Sequence, residues 1–474
     1  MRESTQASHR DPLGRLLVTS SGAFRFLRAG GLGAWAALDS IRAALAPAKV
    51  EIISGTAMDS AAIARMVEED GRFAEIQQSE TWAAVLAHPK LPFVTYAEEW
   101  TPGMLARAGN ATLDVGAALA SIGWRLKDAT PSNLVFDGTR IVFVDALSAE
   151  PIPSGARVWP PFSQFMNAFV FPLQAVSSGR TTVRRAFASG IDGLSVTEMA
   201  NALGWRRWFP PYLLHVGITN ALQRRGGDAW KTEASAASTA DSDRARTVGL
   251  LNHLRRLLKS AARSASGSSA WTDYELSTHD NNYHSRKRSL VLDWCKRFAV
   301  RTALDVGANE GSVSMAMAGQ GLYVVAAERD EAAAERIWRR AAAGNASVTP
   351  VIVDITDATP ARGWRQRERL SFPDRAEGVF DAVVALAVLH HILAASGASV
   401  GDILDQLGRL SRRVLIVEHV QPQDAMFVHI ARGRENLLRA GSLDSFRTAA
   451  RFQFTVVDEV VLTPTRTLFL LAHR

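Results

Sequence analysis

Residues Ala303 to Asp330 read ALDVGANEGSVSMAMAGQGLYVVAAERD. An apolar run ends in Asp305, a tight turn passes through Gly307 and Gly311, a helical stretch follows, and a second apolar run ends in Glu328. A strand feeding a glycine turn lets backbone pass close to a ligand where any Cβ would collide. A carboxylate at the tip of the next strand is placed to accept both hydroxyls of a ribose. The segment predicts a nucleoside-binding α/β unit.

Spacing separates two nucleoside classes. A dinucleotide turn needs G-x-G-x-x-G, so that a pyrophosphate rests on bare amides at a helix N-terminus. Here the turn is Gly307-Ala308-Asn309-Glu310-Gly311. Asn309 replaces the middle glycine, and Glu310 sets a negative charge where the pyrophosphate would approach. That disfavours NAD. The pattern D-x-G-x-x-x-G followed by an acidic strand end resembles the first two motifs of class I S-adenosylmethionine-dependent methyltransferases, whose cofactor carries an amino acid and a sulfonium in place of phosphates.

The resemblance continues downstream. VTPVIVDITD ends a third β-rich run at Asp354, where this superfamily places a carboxylate near the adenine amino group. FDAVVALAVLHHIL supplies a fourth strand, with Ala387 in the stretch beside the cofactor and His390-His391 just beyond it. RRVLIVEHV ends a fifth strand at Glu418-His419, and FTVVDEVVL and RTLFLLAHR form a closing hairpin around Thr463-Pro464-Thr465. The implied fold is a Rossmann-like seven-stranded sheet with its last strand reversed, at about Thr467 to Ala472. The resemblance implies Asp305, Gly307, Asn309, Gly311, Glu328, Asp354 and Ala387 at the cofactor. His391, His390 and Glu418 are candidate bases, because they follow strands on the carboxyl edge where open α/β sheets bind ligands. Tyr274, Tyr283 and Lys287 precede the first strand, in a segment that in this superfamily lies over the methionine end, where a lysine can pair with the carboxylate.

A chain of 474 residues exceeds one core, since single cores rarely grow beyond ~250–300 residues. The expected division is residues 1–230 as an accessory or substrate-recognition domain, 231–270 as a linker with a short helix, and 271–474 as the methyltransferase. The linker assignment rests on KTEASAASTADSDRART and RSASGSSA, which bracket GLLNHLRRLLKSAA. Cys295 is the single cysteine, which excludes an intramolecular disulfide and a multi-thiolate metal site. There is no run of 18 apolar residues and no apolar stretch of signal-peptide form at the N-terminus, so a cytoplasmic protein without a membrane partner is expected. The net charge of +7 comes from scattered arginines in helical patterns, which argues against a nucleic-acid partner.

The first half carries a second pattern. GWRLKDATPSNLVFDGTRIVFVDALS sets Asn133 five residues after Asp128, and a strand-turn-strand then ends in Asp145. This resembles the catalytic segment of protein kinases and aminoglycoside phosphotransferases, where the first Asp accepts a hydroxyl proton and the Asn and second Asp hold magnesium. Leu126 stands where the kinase histidine belongs, Ala146-Leu147 replaces Phe-Gly, no glycine-rich phosphate loop precedes it, and Lys49 is the sole candidate for the phosphate lysine. The half reads as an α+β domain resembling a degenerate kinase. WPPFSQFMNAFVFPL reads as an aromatic core helix rather than a cavity lining.

Both halves together resemble a bacterial family of two-part class I methyltransferases that includes nodulation-related relatives. The resemblance implies methyl transfer from S-adenosylmethionine to an O or N atom of a small-molecule acceptor, such as a natural-product or cell-surface intermediate, with no metal required. Two other readings stay open at this point. One is a phosphotransferase or bifunctional kinase-methyltransferase using Asp128, Asn133 and Asp145, and the other is a non-catalytic scaffold that senses the cofactor. The sequence leaves oligomeric state undetermined.

Overall fold

Seven runs of apolar, β-branched residues in the second half form strands: β1 (Thr302–Val306), β2 (Tyr323–Glu328), β3 (Val348–Ile352), β4 (Phe380–Ala385), β5 (Ser411–Val420), β6 (Phe454–Thr463) and β7 (Arg466–His473). The computed structural model describes residues 6–8, 11–19, 22–153, 159–224, 240–263, 281–432 and 434–474. The strands lie in the order β3-β2-β1-β4-β5-β7-β6. β1 to β5 are parallel, and β7 runs antiparallel to both of its neighbours. The strand order reverses between β1 and β4, which makes their carboxyl ends the switch point where such sheets bind ligands. Register fixes that edge: Asp305 pairs with Ala326 on one side and Val384 on the other, so the tips of β1, β2 and β4 end level.

Helices cover both faces, which is why the central strands read as continuous apolar runs. Leu389–Ser396, Val400–Leu410 and Leu443–Gln453 pack on one face through Leu393, Leu404, Leu407 and Phe446. Asn281–Arg297, Ser312–Gly319 and Glu331–Gly344 pack on the other through Val291, Met317 and Ile337. Tyr274 and Trp271 lie outside the described residues.

The first half is α+β. An antiparallel sheet runs in the order 6–8, 14–18, 23–27, 84–88, 56–57. The long helix Pro102–Ser121 follows, capped by Thr101 accepting from Met104 N at 3.2 Å. Trp159, Phe165, Phe169 and Leu173 are fully buried, as the aromatic segment predicted. Helix Ala240–Arg263, read from composition as a short helix within a linker, packs along Pro102–Ser121 through Leu251, Leu254 and Leu258. At Gly109 a Cβ would meet Leu258 at 2.9 Å, so glycine permits this close approach. Arg255 ties the pair to Asp114 at 2.7 Å. Segments 225–239 and 264–280 lie outside the described residues.

The two halves share buried contacts. Arg375 donates to Glu99 and to the Val94 carbonyl, and its guanidinium lies 4.2 Å from the Tyr96 ring centre and 5.2 Å from that of Phe93. Glu99 also accepts from Tyr96 N at 3.0 Å. Phe93 itself enters the second half's core, 5.4 Å from Phe380 and 5.6 Å from Phe372. In the other direction, Trp338 of the second half packs 5.4 Å from Phe136 of the first.

Breaking a buried ion pair from one side strands the remaining charge, at a cost of roughly 3–5 kcal/mol. Glu99→Ala is therefore expected to destabilise the chain by about that amount in urea denaturation, whereas the double variant Glu99→Leu/Arg375→Met loses less. Equal losses in both variants would show that the pair's charges are not what matters.

Candidate functional site

The glycine turn is built by backbone constraint. Gly307 has φ of +71°, and a Cβ there would sit 2.9 Å from Val388 Cγ2. Gly311, also at φ +71°, caps helix Ser312–Gly319 against Ile337. The amides of Gly307 and Ala308 both donate to Ala327 O, at 2.8 and 3.1 Å, which clamps the turn onto the tip of β2. Glu328 then bridges the turn and the next helix: Oε2 accepts from Asn309 N and Oε1 from Asp330 N, each at 2.8 Å. Burial pushes its carboxyl above the usual range, against the lowering effect of the two amides.

Asp305 serves the turn from beneath. It is buried, accepts from Ser314 Oγ at 2.5 Å, and is pushed up to about 6 by burial. Asp305 and Gly311, expected at the cofactor, shape the loop without lining the cavity.

A cavity of about 280 Å³ opens at the switch point, close to the ~300 Å³ at which small-molecule sites begin. Of the expected residues, Gly307, Asn309, Glu328, Asp354, Ala387, His390, His391, Tyr283 and Lys287 line it together. Asp354 follows β3 and holds its loop by accepting from Thr356 N at 2.9 Å and Thr356 Oγ1 at 2.6 Å. Ala387 sits beyond β4 with φ of +51°, a left-handed conformation that costs ~1–2 kcal/mol in a residue bearing a Cβ. His391 lines the wall, and burial lowers its imidazole to about 4. His390 is almost wholly buried against Phe427, with neither ring nitrogen hydrogen-bonded, and burial drives it well below the ordinary histidine value.

Glu418 takes a different place from the other candidate bases. It is fully buried and does not line the cavity. Lys287 Nζ donates to its Oε2 at 3.0 Å and Tyr283 donates its hydroxyl to Oε1. The Tyr283 oxygen in turn accepts from Lys287 Nζ and Arg466 Nη1, each at 3.1 Å. Arg466 also forks onto Asp424 at 3.0 and 3.3 Å. Burial and Glu418 push the Tyr283 hydroxyl up to about 12, so it stays protonated as a donor. Lys287, expected to face a free carboxylate, thus already holds one. Arg466 and Asp424 line the cavity but stand in the sequence as single charges beside a turn, with no pattern to mark them.

In the first half, Gln164 Nε2 donates to Asp128 at 3.1 Å, and Asn133 Nδ2 donates to the Asp128 carbonyl at 3.1 Å. Asp145 accepts from Arg25 at 2.9 Å, and Asp11 lies 3.8 Å from the same guanidinium. Arg25 is thus the cation that meets Asp145, and Lys49, the candidate phosphate lysine, ends a short helix in a left-handed turn. Neither Arg25 nor Asp11 was legible, because each is far from Asp145 along the chain.

No family model matches the chain. It is 25% identical over 434 residues to the nodulation protein NoeA of Rhizobium meliloti (strain 1021), spanning 87% of this chain and 90% of that one. The similarity to NoeA extends over most of both sequences. Among solved structures, WbdD, described as a bifunctional kinase-methyltransferase, is 16% identical, with 41% of this chain and 40% of WbdD covered at a TM-score of 0.31. The match thus spans less than half of WbdD's own length. The N-methyltransferase NodS of Bradyrhizobium japonicum WM9 is 15% identical, covering 41% of this chain and 98% of NodS at a TM-score of 0.30.

The buried ionisable groups set a pH dependence. His390, His391, His419 and His215 all favour the neutral form when folded, the last three at about 4. Their contribution is present above the ordinary value near 6.5 and is lost as pH falls toward 4. Asp305, at about 6, and Glu331, at about 7, act oppositely, contributing at low pH and losing that contribution as pH rises. Glu328, Glu98 and Asp11 are raised by burial as well, and His88 is lowered, so the two sets oppose each other. The histidine contribution is isolated by difference: with His391 and His419 both replaced by Gln, the calorimetric unfolding temperature should fall less from pH 6.5 to 4.5 than in the wild-type chain, and an unchanged difference would contradict the burial of these rings.

Proposed function

We propose that this chain is an S-adenosylmethionine-dependent methyltransferase, acting through residues 271–474 on an O or N atom of a small-molecule acceptor. One observation carries the reading: Glu328 stands buried at the tip of β2, with each oxygen already oriented by one backbone amide and its remaining lone pairs at the cavity wall. That is the donor-poor carboxylate a vicinal diol satisfies. The strand order and the glycine turn are consistent with it, and Asp354, after the neighbouring strand β3, lines the same cavity and offers an acceptor for an adenine amino group.

The cofactor would supply an electrophilic sulfonium methyl. The residues supply position, which accounts for most of the rate in an in-line displacement. Glu328 accepts the ribose hydroxyls, Asp354 the adenine amine, and Gly307, Asn309 and Ala387 bound the methionine end. His391, neutral near pH 7, accepts the proton of a hydroxyl acceptor as its bond to carbon forms; an amine already deprotonated needs no such base.

The first half acts in this reading as an accessory domain, since Asp145 is held by Arg25 where a phosphotransferase keeps it for magnesium. Its contacts reach the cofactor walls. Arg184 donates to the Asp357 carbonyl at 2.6 Å and to its carboxylate at 3.0 Å, and Gly103 N donates to Glu335 at 2.8 Å.

Isothermal titration of the full chain with S-adenosylmethionine, S-adenosylhomocysteine and Mg-ATP tests this. Micromolar binding of the first two, lost by at least about tenfold in Glu328→Ala with the fold retained, is the expected outcome; a net loss of that size corresponds to ~1.4 kcal/mol. Binding of Mg-ATP alone, abolished by Asp145→Ala, would move the active site to the first half. With an acceptor in hand, His391→Ala should lower kcat while leaving cofactor affinity intact, and unchanged turnover would remove its role as base.

A further inference from the structure

Outside the cavity, the stretch Gly204–Ile218, GWRRWFPPYLLHVGI, exposes Trp205 (69%), Trp208, Phe209 (55%), Leu214 (72%) and Ile218. These side chains form one surface. Trp205 and Phe209 meet edge to face at 5.5 Å, and Arg207 lies 5.4 Å over the Trp208 ring. At Gly217 a Cβ would come within 3.2 Å of the Trp208 ring, so the turn Gly204–Trp208 packs on the helix Leu213–Ile218. Leu214 and Ile218, four residues apart, project from that helix beside it.

Charge on this surface has one sign. From Met199 to Arg224 there is no Asp or Glu, while Arg206 and Arg207 stand between the two tryptophans. Two ordinary explanations fit poorly. Scattered exposed apolar residues are normal on any protein, but large aromatics clustered together mark an interaction site. A second copy of the chain docked face to face would bring the arginines of both copies together with no acid in the stretch to pair them.

We propose that this face is a peripheral attachment site for an anionic phospholipid bilayer. Tryptophan and phenylalanine settle at the boundary between headgroups and acyl chains, where an apolar ring body is buried and the indole N–H stays hydrated. Leu214 and Ile218 enter the acyl edge. Arg206 and Arg207 reach the phosphates, and the chain's net charge of +7 adds long-range attraction. Attachment is peripheral: among the described residues no helix is long and apolar enough to cross a membrane. The sequence-based expectation of no membrane partner considered only spanning segments and leaders, and this surface departs from it.

Co-sedimentation of the full chain with vesicles tests the proposal. Binding is expected to phosphatidylcholine vesicles containing phosphatidylglycerol and not to phosphatidylcholine alone. Arg206→Glu/Arg207→Glu and, separately, Trp205→Ala/Phe209→Ala should each weaken it about tenfold or more, with circular dichroism unchanged. Trp205, Arg206 and Phe209 are exposed, whereas Arg207 is half-buried and donates to Ala200 O at 3.2 Å, so the single variant Arg206→Glu, expected to weaken binding severalfold, separates loss of charge from loss of that bond. Absence of wild-type binding to the anionic vesicles overturns the proposal, as does binding that neither variant weakens. Concentration-dependent dimerisation without vesicle binding, abolished by Trp205→Ala/Phe209→Ala, overturns it in favour of a second copy.

Discussion

The ion pair between Glu99 and Arg375 decides how the rest of the molecule is held. Both side chains are buried, so the pair stands only because its neighbours satisfy what remains of each charge. Tyr96 N and the Val94 and Leu370 carbonyls complete the hydrogen bonding, and three aromatic rings face the guanidinium. An arginine suits this position better than a lysine, because its planar fork bonds and stacks at once. The pair has a consequence for the cavity. Arg375 lies at the end of the connection that begins at Asp354, and Arg362 in the same connection donates to the Phe187 carbonyl at 2.8 Å. The wall carrying Asp354 is thus suspended from the first half of the chain.

Two buried carboxylates at the same sheet edge have opposite characters. Glu418 is met by a lysine, a tyrosine hydroxyl and the nearby Arg466, which lies 3.7 Å away, and these partners stand between it and the cavity that they line. Among the described residues, Glu328 receives two neutral amides and no cation within ion-pair distance. Burial without a counter-charge leaves it short of donors, the condition that a pair of ligand hydroxyls relieves. Position in sequence could not separate them, since both end an apolar strand with glutamate. Partners decide the role, and the partners are distant.

The same distinction explains what was legible. The strands, the glycine turn and the reversed last strand are written in local periodicity and turn chemistry, so Thr302–Val306 through Arg466–His473 follow from short stretches. Asp354 and Ala387 follow from their places after strands. Lys287 lines the cavity, and its bond to Glu418 was not legible, because that partner lies 131 residues away. Arg466, Asp424, Arg25 and Asp11 were missed, since a lone charged residue in a loop carries no period. Helix Ala240–Arg263 was underestimated for a related reason: flanking Ala/Ser-rich composition suggested a linker, whereas Leu251, Leu254 and Leu258 find a tertiary partner in Pro102–Ser121.

In the first half, the residues of the kinase-like sequence pattern serve the shape of the loop at Asn133 and meet an arginine at Asp145. Asn133 still bonds the Asp128 carbonyl and Ser148, which holds the loop in shape. Asp145, by contrast, is paired with Arg25, and Arg25 also donates to the Val144 carbonyl at 3.1 Å. The guanidinium sets a positive charge on Asp145 Oδ1, where a divalent cation would have to sit, and Asp11 adds a second carboxylate beside it. Magnesium would have to displace a buried arginine that makes two bonds, and phosphates would have to approach Asp11. Retaining the scaffold while closing its centre makes sense if the half's contribution is mechanical. It carries Glu99, Arg184 and Gly103 to residues behind the cavity wall, and those contacts need the fold of the first half but none of its chemistry.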